Sequence, residues 1–113
     1  MNGGGLGWSV EERGSARVAI PSGRVDESTA TQFTERLVEA AAGGGLVVLD
    51  LREIPYMSSR GLRALTLANR RGAEAGCTIV LARPSETMRE ILAISRYDQV
   101  FRVTETVEDA LSG

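Results

Sequence analysis

The sequence predicts an α/β domain with a mixed central sheet of about four or five strands and about four helices, mainly on one face. Three observations carry this. Two short runs, 46–51 and 77–82, are apolar almost throughout, as suits strands covered on both sides. Between them lies a segment with helical apolar spacing, so the three read as a right-handed βαβ unit with parallel strands. Ahead of them, two segments alternate apolar and polar residues around the turn signal Gly14-Ser15.

Element by element, the glycine-rich opening through Gly7 is expected to be disordered, and a single domain is expected over 8–111. Strand 8–12 puts Trp8 and Val10 on one face, and strand 17–22 does the same for Val18 and Ile20. Pro21 has no amide hydrogen and belongs near a strand end, or with its nitrogen facing no partner. Gly23-Arg24-Val25-Asp26 is a loop. A helix follows over 28–42, with Ala30, Phe33, Leu37, Val38, Ala40 and Ala41 as its apolar stripe and Thr29 and Gln32 as a capping box. Gly43-Gly44-Gly45 ends it. After strand 46–51, a second helix runs over 59–75 and stops at Gly76. At 100° per residue, Leu62, Leu65, Ala68 and Gly72 face the sheet, while Arg60, Arg63, Leu67, Arg70, Arg71 and Glu74 face outward. Strand 77–82 follows, then a third helix over 86–94 opened by Pro84-Ser85, with Met88, Ile91 and Leu92 inward. A short edge strand over 100–103 and a final helix over 106–111 complete the chain.

Composition narrows the function. The chain has 113 residues, 42% hydrophobic but only 4% aromatic, so its core is aliphatic. Its net charge of -2 gives no strong field toward nucleic acid or anionic membrane, and neither direct nucleic-acid binding nor direct membrane insertion is expected. It contains no histidine, which removes the commonest general base and the usual serine and cysteine pairs. All 13 basic residues are arginine, which excludes a lysine Schiff base and a P-loop lysine. Cys77 cannot form an internal disulfide and sits in an apolar run, where it reads as a small buried hydrophobe. No metal or cofactor is expected. With neither a signal-type segment nor a long apolar span, a soluble cytoplasmic protein is expected.

The most informative stretch is Leu49-Asp50-Leu51-Arg52-Glu53-Ile54-Pro55-Tyr56-Met57-Ser58-Ser59-Arg60-Gly61-Leu62. A strand ends, a loop follows, and two serines stand where a helix begins. The first amides of a helix lack intrahelical partners and lie at the positive end of its dipole. A serine there ordinarily caps the helix. A phosphate on it would be held by the same amides. Asp50, inside a buried-type strand, reads as a hydrogen-bonded structural carboxylate near the loop. Leu67, on the arginine-rich side, is an apolar residue with no evident intramolecular role.

Val47-Val48-Leu49-Asp50-Leu51 followed by Tyr56-Met57-Ser58-Ser59-Arg60-Gly61-Leu62 resembles the signature of STAS domains, the anti-sigma factor antagonists and their relatives. Gly23-Arg24-Val25-Asp26 with Thr29-Ala30 and Phe33 resembles their other common motif. The resemblance spans about 8–111 and implies a STAS-type α/β fold and a non-catalytic, partner-switching phosphoprotein. By position, Ser59 is the implied phospho-acceptor. The implied partners are an anti-sigma factor that is also a serine kinase, bound while Ser59 is unmodified, and a serine phosphatase that restores binding. Asp26 aligns with an acidic residue at the kinase interface; Ser58, Arg60, Arg63 and Leu67 complete the expected contact surface. Two positions depart from the commonest pattern. Ser58 stands where many members have Asp, and Arg60 where most have a small residue. Arg60 could pair with a phosphate on Ser59 or indicate an altered partner. The alternative is a STAS subunit of a transporter or other complex without a phospho-switch. An enzyme using Ser59 as nucleophile lacks a usual base to activate it.

Overall fold

The computed structural model describes residues 5–112. Five strands form one sheet in the order β1-β2-β3-β4-β5. β1 (Gly7–Arg13) and β2 (Ala16–Ser22) are antiparallel, in register from Gly7 opposite Ser22 to Arg13 opposite Ala16. β3 (Gly45–Asp50), β4 (Cys77–Ala82) and β5 (Arg102–Thr104) each run parallel to the strand before them in that order. The helices are α1 (Ala30–Ala41), α2 (Ser59–Glu74), α3 (Glu86–Ile94) and α4 (Val107–Ser112). A 3-10 turn, Tyr97–Gln99, joins α3 to β5.

Strand alternation sorts the side chains into two cores. Val47 and Leu49 pack with Phe33 and Leu37 of α1, Leu65 and Ala68 of α2, and Met88 and Leu92 of α3. Val48 turns the other way, toward Val18, Val80, and Val107 and Ala110 of α4. Three helices therefore cover one face and α4 the other, which is why β3 and β4 read as unbroken apolar runs. Each fully buried Leu or Phe in these layers contributes about 1.5–3 kcal/mol. Cys77 is buried as expected, and burial pushes its thiol pKa up.

Several expectations need correction. Residues 1–4 of the supposedly disordered opening lie outside the described residues. Leu6, however, is buried, and Gly7 already pairs in β1. The reason lies in Gln32, whose side chain accepts the Leu6 N–H at 3.3 Å and donates to the Leu6 carbonyl at 3.2 Å. Gln32 therefore does not close a capping box, and α1 starts at Ala30 rather than Ser28 with no side-chain cap from Thr29. The Thr29 hydroxyl instead donates to the Arg24 carbonyl at 2.7 Å and accepts from the Asp26 N–H at 3.0 Å. Trp8 packs edge-on against Phe33, but Val10 stays 47% exposed because β1 is an edge strand that packs broadly only on β2. The last strand begins at Arg102, not Val100. Phe101 is buried and stacks on Tyr97, so the chain is anchored first, and Val100 is left 63% exposed. Pro21 lies past Ala19, the last β2 residue paired with β3, so its missing donor breaks no ladder there. Leu62 packs against this core as its spacing predicts but stays half-buried. The buried stripe is Gly61, Ala64, Leu65, Ala68 and Gly72, mostly small residues. Among the described residues no helix is long and apolar enough to cross a membrane.

Candidate functional site

The site is built on two loops at the carboxyl ends of β2 and β3. The β3 loop is pinned from below by Leu51, Ile54 and Met57, all buried. The Leu51 N–H donates to the Ala82 carbonyl at 2.8 Å, and the Ile54 N–H to the Leu51 carbonyl at 3.0 Å. Asp50, its side chain only 2% exposed, accepts the Arg52 N–H at 3.1 Å. It also takes both Arg83 Nε at 3.1 Å and Arg83 Nη2 at 2.5 Å. That bidentate pair raises the Arg83 pKa still further. Asp50 is thus the structural carboxylate its strand position predicted, holding the first turn of the loop.

The β2 loop is stitched to the first. Gly23, at φ +118, donates to the Glu53 carbonyl at 3.0 Å; that backbone is strained for any side chain. The Val25 N–H reaches the Tyr56 carbonyl at 3.0 Å, and the Ser58 N–H reaches the Val25 carbonyl at 2.8 Å, so Val25 and Met57 form a small parallel bridge. Gly61 makes this approach possible. A Cβ there would stand 2.3 Å from Met57 Cγ and 2.7 Å from Val25 Cγ1. Asp26 accepts the Ser28 N–H at 3.0 Å and the Ser28 hydroxyl at 2.8 Å, and these bonds pull its pKa below the ordinary value. Arg24 lies 3.8 Å from Asp26 and 4.5 Å above the centre of the Tyr56 ring.

At the start of α2 the two serines differ. Ser58 is the N-cap residue in extended backbone, but its Oγ is buried with no hydrogen-bond partner. Ser59 is the first helical residue and is exposed. The first intrahelical bond is Leu62 N–H to the Ser58 carbonyl at 3.0 Å, so the amides of Ser59, Arg60 and Gly61 precede it. Arg60 is engaged elsewhere: its Nε pairs with Glu27 Oε1 at 2.7 Å, both side chains mostly exposed.

Farther along α2, Arg63 and Leu67 border two surface cavities. One, of about 300 Å³, lies toward α1 and is lined by Ala30, Thr34 and Arg60 among others. The second, of about 610 Å³, includes Ser59, Leu62, Arg70 and Tyr97. The Tyr97 hydroxyl and Thr66 Oγ1 are 2.8 Å apart, which ties the 3-10 turn to α2.

The structure therefore gathers Asp26, Ser58, Ser59 and Arg60 at one end of the domain and extends Arg63 and Leu67 from it along a single helix. Sequence reasoning missed Glu27, Gly61 and Tyr97. A glycine in the first turn of a helix was a usable signal, because it costs about 1 kcal/mol against Ala unless something approaches closely. Nothing local marked Glu27 as the partner of Arg60, or Tyr97 as a wall of the Ser59 cavity.

The family model for the STAS domain matches residues 7–110. An anti-sigma-F factor antagonist, RsfB, from Mycobacterium tuberculosis is 29% identical over 106 residues, covering 93% of this chain and 86% of its own length. Among solved structures, an anti-sigma factor antagonist from Mycobacterium paratuberculosis superposes with a TM-score of 0.81 at 25% identity, over 95% of this chain and 92% of that one. The antagonist SpoIIAA in its unphosphorylated form gives 0.73 at 21% identity over 93% of both chains, and its fold is also known in the phosphorylated form. A sulfate transporter family protein from Wolinella succinogenes gives 0.74 at 17% identity over 86% of this chain and 82% of that one, a likeness of fold alone. The mixed five-stranded sheet and the family match over 7–110 agree: the chain belongs to the STAS domain family.

Proposed function

We propose that the chain is an anti-sigma factor antagonist, a non-catalytic module that binds an anti-sigma factor with serine kinase activity while Ser59 is unmodified and releases it once Ser59 carries a phosphate. One observation carries this reading: Ser59 is exposed on the first helical residue of α2, beside amides that the Ser58 hydroxyl leaves uncapped. In the proposed step the terminal phosphoryl group of ATP passes to Ser59 Oγ. The bond to the leaving ADP breaks and the serine proton goes to the kinase's base. A serine phosphatase reverses the modification by hydrolysis.

The phosphate brings about 1.5–2 negative charges and three acceptor oxygens to a surface that was neutral and small. The helix amides and dipole accommodate it within the domain. A partner packed over it would instead bury an uncompensated charge, at about 3–5 kcal/mol. At about 1.4 kcal/mol per tenfold, affinity falls by a hundredfold or more. No refolding is required, because the charge changes and the scaffold does not.

The test is a kinase reaction with the partner anti-sigma factor, followed by capture with wild type, Ser59→Ala and Ser59→Asp. One phosphate per chain on the wild type, none on Ser59→Ala, and loss of capture by Ser59→Asp alone are expected. Phosphate still entering Ser59→Ala would refute the assignment. The transporter-subunit reading is favoured by the Arg60–Glu27 pair, which holds the arginine beside Ser59 on a carboxylate instead of leaving it for a phosphate. It predicts co-purification with a membrane permease and no phosphate.

A further inference from the structure

We propose that the outer face of α2 between Ser59 and Arg70 seats an acidic amphipathic segment of a partner protein, and that a phosphate on Ser59 displaces it by taking the arginine it needs. The second half rests on Ser59 being the phospho-acceptor; the first half does not.

α2 carries four arginines and one glutamate, although the whole chain has a net charge of -2. Among the described residues, Arg60 is paired with Glu27, while Arg63 and Arg70 have no ion-pair partner. Those two free guanidiniums flank Leu67 at helical spacing, and all three line the cavity of about 610 Å³ that also holds Ser59. The far wall is Tyr97, held in place by its hydrogen bond with Thr66. Leu67 borders the smaller groove toward α1 as well, so an apolar side chain arriving from outside meets a leucine floor with recesses on both sides.

This surface asks for a leucine-like anchor with carboxylates beside it. Arginine forks match carboxylates in two-bond geometry, which gives both energy and register. A basic partner would be repelled. A nucleic-acid backbone would gain nothing from the apolar floor.

Ser59 and Arg63 are four residues apart on α2 and are therefore neighbours on its surface. A phosphate on Ser59 is tethered beside Arg63 and competes at high effective concentration with any carboxylate from solution. It also repels the incoming acidic segment. The same modification thus removes the cation and adds an anion at one place.

The test uses the full chain, labelled for backbone amide spectra, with three probes. These are a helical peptide bearing a leucine stripe flanked by glutamates, its twin with lysines, and a single-stranded DNA of similar length. The glutamate peptide is expected to shift the amides of Arg63, Leu67, Arg70 and Tyr97. Its affinity should fall about tenfold in the Arg63→Gln/Arg70→Gln variant, whose spectrum also reports that it is folded. Phosphoserine installed at position 59 during translation, with no kinase involved, should lower it at least as far. No shifts, shifts on another face, or equal binding of the lysine peptide or the DNA would overturn the seat. Undiminished binding to the phosphoserine protein would overturn the competition. Because the phosphoserine enters during translation, either failure is separate from a failure of kinase labelling, which tests the proposed function itself.

Discussion

α2 and α3 both begin at a serine in extended backbone, with φ and ψ of -79° and 177° at Ser58 and -65° and 170° at Ser85. The serine and its backbone conformation are the same at both starts. Ser85 caps its helix, its Oγ accepting the Met88 N–H at 3.2 Å, and Glu86 adds a carboxylate in the first turn. Ser58 does not cap, and α2 has no acidic residue in its first turn. One helix start is finished from within; the other is left for something from outside. The difference comes from the neighbours. At α2, the Val25 carbonyl engages the Ser58 amide, and the Ser58 hydroxyl is buried without a partner.

The strongest way to break this contrast is Gly61→Ala, because the added carbon collides with Met57 and Val25, the pair that pulls the two loops together. A loss of about 1–3 kcal/mol is expected by chemical denaturation, with partner binding lost as well. Gly72→Ala is the control. Its Cβ would meet Ala41 and Cys77 at 3.3 Å, so it strains the last turn of α2 but leaves the loops alone.

The next test exchanges the two serines. Ser85→Ala should cost about 1 kcal/mol by removing a working cap. Ser58→Ala should cost nothing, or stabilise by up to about 1 kcal/mol, because it removes a buried hydroxyl without a partner. Equal losses in paired denaturation curves would contradict the claim that only one of these helices is capped. Smaller still is Arg60→Ala. Its bridge to Glu27 joins exposed side chains, so stability should change by less than about 1 kcal/mol, and the change should shrink in salt.

The last prediction concerns pH. Hydrogen bonds from Ser28 depress the Asp26 pKa, so the carboxylate binds its proton less readily in the folded state than in the unfolded chain. Its contribution is therefore present above the ordinary carboxylate value and is lost as pH falls through the depressed one. A carboxyl-detected titration should place Asp26 below a free aspartate, and Ser28→Ala should move it back up. An unchanged midpoint in that variant would show that the hydroxyl bond does not hold the charge.

Where each feature was legible follows from how far its cause reaches along the chain. β3, β4 and the helix between them were readable because their apolar runs record burial directly, and the placement of Ser59 followed from the strand-loop-helix order. The capping box at Thr29 and Gln32 was misread because the spacing was right and the competitor was distant: Gln32 bonds to Leu6, 26 residues away. Leu62 packs only at the edge of the core, a detail hidden from a helical wheel because it cannot tell which side α1 occupies; Leu65 and small residues fill the buried stripe.

The sequence by itself determined the α/β order, the aliphatic core, the absence of histidine and lysine chemistry, and a serine pair at a helix start. All of these depend on residue type and short spacing. The tertiary structure alone decided that Ser58 is covered while Ser59 is free, that Arg60 is engaged by Glu27, and that Arg63, Leu67 and Tyr97 share one cavity. These facts depend on which loops and helices meet, and the energies that select among such meetings come from groups far apart in the chain.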